Sequence, residues 1–288
     1  MNKIKFILLA LLICSSNILS KQLTIGLTKD AGTGLPGLFV SFRFVLACLP
    51  WHEKTKVPLA VYWDKKSVYY QPEGFNGVKD NVWEYYFEPL SKAQPSKPFH
   101  AMYCAPDNSY ILSFNTMNKI DKPYRRYVNY FIKKYIKIKA PILKKIDDFY
   151  QANMAGKKTV GIHVRGTDHY EEVNAEPLSV IINKANEFKD VQYLVATDEQ
   201  KILDELKKYL NGKVISYDCY RSTDGYSIQP SHHNIKRPHP AQYGEDVIVE
   251  VSLLSKCDIF LHGLSNVAMA VLYFNPESDN YHFGKTVH

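Results

Sequence analysis

The sequence predicts an α/β fold built as two Rossmann-like lobes with a cleft between them, and three observations carry that expectation. From Lys158 onward, short β-branched runs alternate with stretches of helical apolar spacing, the order of a parallel sheet with helices on both faces. The first half repeats the theme more loosely, as a strand, a glycine-containing loop and a helix. A chain of 288 residues, 45% hydrophobic, has room for two domains of ordinary size. The expected divisions are a leader over 1–20, one lobe over 21–156 and a second over 157–288.

The leader has a physical signature. Lys3 and Lys5 precede the apolar run 6–13, and small residues follow near Ser16 and Ser20. A basic start, a short apolar stretch and small residues are the marks of a secretory signal peptide. The run is short for a spanning helix, and a short uncleaved anchor is the alternative. Either places the chain in the secretory lumen or outside the cell, with a membrane as partner only if the segment stays attached. Four cysteines then remain, Cys48, Cys104, Cys219 and Cys257. They allow two bridges in three connectivities, or buried thiols, the reading that the apolar surroundings of Cys48 and Cys257 favour. With no C-x-x-C pair, a zinc or redox site is not expected.

In chain order, 22–27 reads as a strand. Residues 28–37 form a loop holding Gly32, Gly34 and Gly37, and 38–49 has helical spacing. That order lets backbone N–H groups around Gly34 meet an anion at a helix start; a loop shaped by positive φ alone is the alternative. A strand over 57–63 follows, then an aromatic and acidic segment over 69–89 that suits either a sugar face or plain packing. Residues 121–153 are largely helical, with Pro123 near the start and Pro141 as a break. Strands are expected over 159–164, 191–196, 213–217 and 258–262, and helices over 176–188, 200–210, 245–256 and 265–274. An irregular polar loop over 220–243 carries His232, His233 and His239, which suit a flexible cover better than a metal site because neighbouring side chains diverge. The net charge of +7 favours anionic partners or is a lysine-rich solvated surface. No nucleic-acid motif accompanies it, so no nucleic-acid partner is expected.

Polar clusters stand at three strand ends: His163, Arg165 and Asp168; Asp198 and Glu199; His262, Ser265 and Asn266. Ligands of open α/β sheets bind outside the carboxyl ends of strands. The two-residue period puts His163 and Arg165 on one face, and the planar fork of an arginine clamps phosphate. Ser265 and Asn266 open a helix whose N–H groups suit a phosphate too.

Gly161-Ile162-His163-Val164-Arg165-Gly166-Thr167-Asp168 resembles the first motif of the fucosyltransferase superfamily, which contains α1,2-, α1,6- and protein O-fucosyltransferases. Tyr193-Leu194-Val195-Ala196-Thr197-Asp198-Glu199 resembles the second motif, and the stretch from Val247 to Asp258 with Ser265-Asn266 the third region. The match runs over roughly 159–274 and is nearest to the α1,6 branch.

The resemblance implies a GT-B-like fold, with 21–156 as the acceptor-side lobe and 157–288 as the nucleotide-sugar lobe. It implies an inverting, metal-independent transfer of fucose from GDP-fucose to a glycan or glycoprotein hydroxyl, with no cofactor. In it Arg165 contacts the pyrophosphate and stabilises the leaving GDP, His163 lies against the nucleotide, Glu250 reads guanine and Ser265 bonds phosphate. Asp168 and Asp198 fix site geometry. Inversion needs a base for the acceptor hydroxyl unless the leaving phosphate serves. Glu172 is the candidate and Glu171 the fallback; two exposed loop acids are the plain alternative. The chain departs from the pattern in three places. Gly166 stands where many members carry a second arginine, Glu250 where Asp is more usual, and the N-terminal loop lacks an Asn/Gln-Arg signature. These departures give the alternatives of an inactive module that holds a glycan or protein, or a transferase using another nucleotide sugar.

Overall fold

The computed structural model describes residues 23–26, 37–92, 121–167, 176–226 and 239–283. Strand β1 (Leu23–Ile25) pairs in parallel with β2 (Leu59–Val61), with Thr24 opposite Ala60. Helix α1 (Leu38–Thr55) joins them and buries ten residues, from Leu38 to Leu49. It runs on through Pro50, where the sequence predicts an end. Its last turn is held by the Lys56 N–H donating to His52 O at 2.8 Å, with Lys56 left-handed at φ 59°, so tertiary packing and a well-made C-terminus outweigh the one bond that proline removes.

A short helix α2 (Trp83–Tyr86) packs its aromatic side chains under α1. Phe42 stacks on Phe87 at 5.5 Å and meets Trp83 at 6.2 Å. The aromatic segment therefore serves as core: Trp83, Tyr85, Tyr86 and Phe87 are all fully buried. The helical stretch before residue 153 is two helices, α3 (Lys122–Tyr135) and α4 (Ala140–Asn153). Asp121 caps α3 by accepting the Tyr124 N–H at 2.9 Å. Pro123 and Pro141 each sit in a first turn, where the missing N–H costs nothing.

The second half is a five-stranded, wholly parallel sheet in the order β5-β4-β3-β6-β7. Its strands are β3 (Thr159–Val164), β4 (Gln192–Thr197), β5 (Val214–Ile215), β6 (Ile259–His262) and β7 (Asp279–His282). Helices α5 (Leu178–Ala185) and α6 (Gln200–Tyr209) pack on one face with Val160, Ile162, Tyr193 and Val195. Helices α7 (Pro240–Leu254) and α8 (Asn266–Phe274) cover the other face with Leu194, Ala196 and Phe260, in a core continuous with that of α1. This is the α/β architecture that the strand–helix alternation predicts.

Two further details differ from the sequence expectation. Helix α7 begins at Pro240, five residues early, because proline opens a helix and Gln242, Tyr243 and Gly244 carry no apolar period. Strand β7 was not expected at all, since Asp279-Asn280-Tyr281-His282 is polar, as an edge strand can be. Cys219 and Cys257 carry free thiols. Among the described residues no helix is long and apolar enough to cross a membrane.

Candidate active site

The strand order reverses at β3: β4 and β5 step away on one side, β6 and β7 on the other. At such a point the two connections leave in opposite directions and open a crevice at the carboxyl edge. A cleft of about 850 Å³, part of it open to solvent, lies there. His163, Arg165, Thr197, Asp198, Tyr220, Asp246 and Glu250 line it from the sheet side, and Val68 and Tyr69 from the first half.

The β3 end supplies one wall. His163 is 8% exposed, and its Nδ1 lies 3.4 Å from the Ser265 hydroxyl. Ser265 is also the N-cap of α8, accepting the Ala268 N–H at 2.9 Å. Asn266 accepts from Arg43 of α1, so this turn is tied to the first half. After Arg165 the chain bends sharply. Thr167 is left-handed at φ 50°, a strained state for a β-branched residue. Asp198 holds the bend: its carboxylate accepts the Gly166 N–H at 2.7 Å and the Thr167 hydroxyl at 3.0 Å. Glu199 accepts the Thr167 N–H at 3.2 Å. Burial raises the Asp198 pKa, while the Gly166 N–H, the Arg165 charge and the Thr167 hydroxyl pull it back.

Gly166 is required by this packing. A Cβ there would overlap the Glu199 carboxylate and lie 2.8 Å from both Glu199 Cβ and Ile202 Cδ1. The space that a second arginine would leave through is filled.

Helix α7 supplies the acidic wall. Asp246 and Glu250 are one turn apart and both face the cleft. Burial pushes Glu250 up to about 7, against the pull of Arg221, whose Nη2 stands 3.6 Å from Oε1. The Cys219 thiol donates to the same oxygen at 3.4 Å. Arg221 is itself fixed by the carbonyls of Tyr217 (2.8 Å) and Cys219 (3.2 Å). Asp246 is raised to about 6, chiefly by burial, and accepts from Gln242 at 2.8 Å. Neighbouring Glu245 points elsewhere, pairing with Lys145 of α4 and accepting from Asn76 at 3.1 Å.

Of the residues singled out in the sequence, His163, Arg165, Asp198 and Glu250 line one cleft, and Ser265 reaches it through His163. Gly34, Asp168, Glu171 and Glu172 lie outside the described residues, as do His232 and His233. Sequence reasoning missed Asp246, Cys219, Arg221 and the ring pair of Tyr220 and Tyr243, whose centroids are 5.3 Å apart. Only Asp246 carried a signal, its four-residue spacing from Glu250. Among the described residues, no three His, Cys, Asp or Glu side chains are grouped to hold a metal ion.

No family model matches this chain, and no curated protein is similar to it in sequence. In three dimensions it is similar to the NodZ α-1,6-fucosyltransferase soaked with GDP-fucose, with a TM-score of 0.53 at 16% identity over 88% of this chain and 92% of that one. A selenomethionine NodZ from Bradyrhizobium gives 0.54 at 15% identity over the same shares. POFUT1 in complex with GDP gives 0.48 at 12% identity, over 92% of this chain and 99% of that one. At these identities the NodZ likeness is one of fold. It agrees with the GT-B-like architecture that the motifs of β3, β4 and α7 imply.

Proposed function

We propose that the protein is a GDP-fucose-dependent fucosyltransferase, inverting and metal-independent, acting on a glycan or glycoprotein hydroxyl. One observation carries this reading: Arg165 and the buried acid Glu250 face a single cleft at the switch point of a parallel sheet. The NodZ structure that shares the fold was soaked with GDP-fucose, which supports the choice of donor.

The roles follow from the chemistry of each wall. Breaking the sugar–phosphate bond leaves charge on the diphosphate. Fixed donors stabilise that charge without reorganising as it develops. Arg165 supplies the cation, and His163 with Ser265 supplies hydrogen-bond donors at the start of α8. Asp198 keeps the Arg165 turn in its strained shape, so the guanidinium is already oriented when the donor arrives. Glu250, once ionised, accepts two N–H groups from the guanine edge. Glu172 takes the proton of the acceptor hydroxyl. With 1–20 as a signal peptide or short anchor, the enzyme works in the secretory lumen or outside the cell.

The test is calorimetric titration with GDP-fucose without added metal, followed by turnover of Arg165→Ala. Binding by the wild type and loss of turnover by at least about a hundredfold in a folded variant are expected, the scale of removing one preorganised oxyanion donor. A fully active Arg165→Ala enzyme would sink the proposal. A second reading, a module that holds a glycan or a protein, is favoured by Gly166, where Glu199 occupies the place of a second cation. Failure to bind either GDP or GDP-fucose would select it, and tighter binding of a UDP- or CMP-sugar would reassign the donor.

A further inference from the structure

Beside the cleft, on the same face of the sheet, lies a buried polar chain that none of these roles uses. His163 of β3, His262 of β6 and His282 of β7 are register partners across three adjacent strands. His262 is 2% exposed and stacks on Phe260 at 4.7 Å. Its Nδ1 lies 3.0 Å from the Gly263 carbonyl oxygen. A carbonyl only accepts, so Nδ1 carries the proton and Nε2 is left as an acceptor.

Nε2 stands 3.2 Å from the Asn280 amide. It needs a donor there, so the amide NH2 must face it. The Asn280 oxygen then accepts from both terminal nitrogens of Arg125, at 3.0 and 3.1 Å. Arg125 belongs to α3 and is 8% exposed. A guanidinium can only donate and Gly263 O can only accept, so the direction of every bond in between is fixed.

We propose that Arg125, Asn280 and His262 form a positioning relay that sets the peptide plane of Gly263 and so holds the turn presenting Ser265 to the donor phosphates. The inference rests on the fucosyltransferase reading for its consequence, but not for its geometry. Gly263 needs such a restraint. It has no side chain to pack, and a Cβ there would meet nothing closer than Phe283 O at 3.9 Å. The turn is short, so the Gly263 plane constrains the Ser265 hydroxyl that approaches His163. The relay works only with a singly protonated His262, and its surroundings enforce that state. Its pKa is lowered to about 4, chiefly by burial and also by the nearby His282 and Arg125, against the pull of the Gly263 carbonyl and Asn280. A second proton would demand an acceptor from Asn280 and turn the amide NH2 toward Arg125.

The relay is tested first by nitrogen NMR of the full chain at neutral pH, which reads the His262 tautomer. The Nδ1–H form is expected, and an Nε2–H form overturns the proposal. Asn280→Asp is the second arm. A carboxylate there accepts from both Arg125 and a doubly protonated His262, so the ring is expected to titrate above its ordinary 6.5 instead of well below it. Asn280→Leu and His262→Leu are each expected to weaken GDP-fucose binding by about tenfold, the scale of one lost hydrogen bond. The double variant should be no weaker than either single one, and Asn280→Asp should recover most of the loss. A folded Asn280→Leu protein that binds GDP-fucose like the wild type overturns the proposal. Should the wild type fail to bind GDP-fucose, the donor assignment falls, while the tautomer and the Asn280→Asp titration still decide whether the relay exists.

Discussion

Replacing Glu250 by Gln is expected to remove most of two pH dependences of opposite sign that come from one carboxyl group. Burial holds the Glu250 pKa at about 7 in the folded chain, against 4.5 for an ordinary glutamate. Because the folded value is the higher one, the folded state binds more protons between pH 4.5 and 7. Its stability is full below 4.5 and falls as pH rises through 7. A shift of this size is worth about 3 kcal/mol in total. Donor binding runs the other way. Two N–H groups of a guanine edge require the ionised form, of which about a tenth is present at pH 6 and about nine-tenths at pH 8 for a pKa near 7. GDP-fucose should therefore bind roughly tenfold more weakly at pH 6 than at pH 8. GDP-fucose is the right probe, because its diphosphate diester does not titrate in that range, whereas free GDP does. Calorimetry at constant ionic strength gives the affinity, and thermal melts give the stability. Glu250→Gln should flatten most of both profiles and bind the donor about a hundredfold more weakly, since an amide offers one acceptor where two are needed and presents a donor to a donor. Asp246, raised to about 6, leaves a shallower residual slope. A wild-type affinity that stays constant from pH 6 to 8, or an unchanged profile in Glu250→Gln, would refute the reasoning.

Two glycine substitutions test the packing that shapes the cleft. Gly166→Ala places a methyl against Glu199 and Ile202, and is expected to lower stability by about 1–3 kcal/mol and to reduce turnover by disturbing Arg165; an unchanged melting temperature would show that Glu199 moves aside freely. Gly244→Ala should also destabilise, although alanine favours a helix interior by about 1 kcal/mol. The new methyl would overlap the hydroxyl of fully buried Tyr86, which donates to Ala241 O at 3.0 Å, and displacing it leaves a buried polar group unpaired; a denaturant titration showing a gain in stability would refute this.

The parts of this molecule that were legible in the sequence are those governed by local rules. Strand β3 declares itself by β-branched alternation, and the order of strands and helices after it dictates a parallel sheet. His163, Arg165, Asp198 and Glu250 were recognisable because each sits near the end of an element within a recurring motif. What stayed hidden depends on contacts distant in sequence. Arg221 looks like any basic loop residue until Glu250, 29 positions later, is found 3.6 Å away. The aromatic run around Trp83 reads equally as a sugar face or as core, and only its packing against Phe42 decides. Gly166 reads as the loss of a charge. In the fold it is the residue that lets the Arg165 turn close onto Asp198.

The cleft also has a polarity that bears on how a donor would lie in it. Arg165 supplies a positive charge, and the first turn of α8 reaches the same cleft through Val267. Asp246 and Glu250, on the same lining, are buried acids whose pKa values burial raises, to about 6 and about 7. A molecule with an anionic middle and a base rich in N–H donors matches that gradient in one orientation. Reversed, it would set phosphates against carboxylates and base donors against a guanidinium. The protonatable end refines the match. Empty, the pair can avoid carrying two adjacent charges by keeping protons. A guanine edge replaces those protons with its own N–H groups, so ionisation of Glu250 is coupled to arrival of the base. An adenine edge presents an acceptor where guanine presents N1–H, and would favour the protonated acid instead. Discrimination between the two bases should therefore grow with pH through about 7, the value set by Glu250, and shrink below it. A hydrogen-bonding site built from fixed neutral groups would show no such trend.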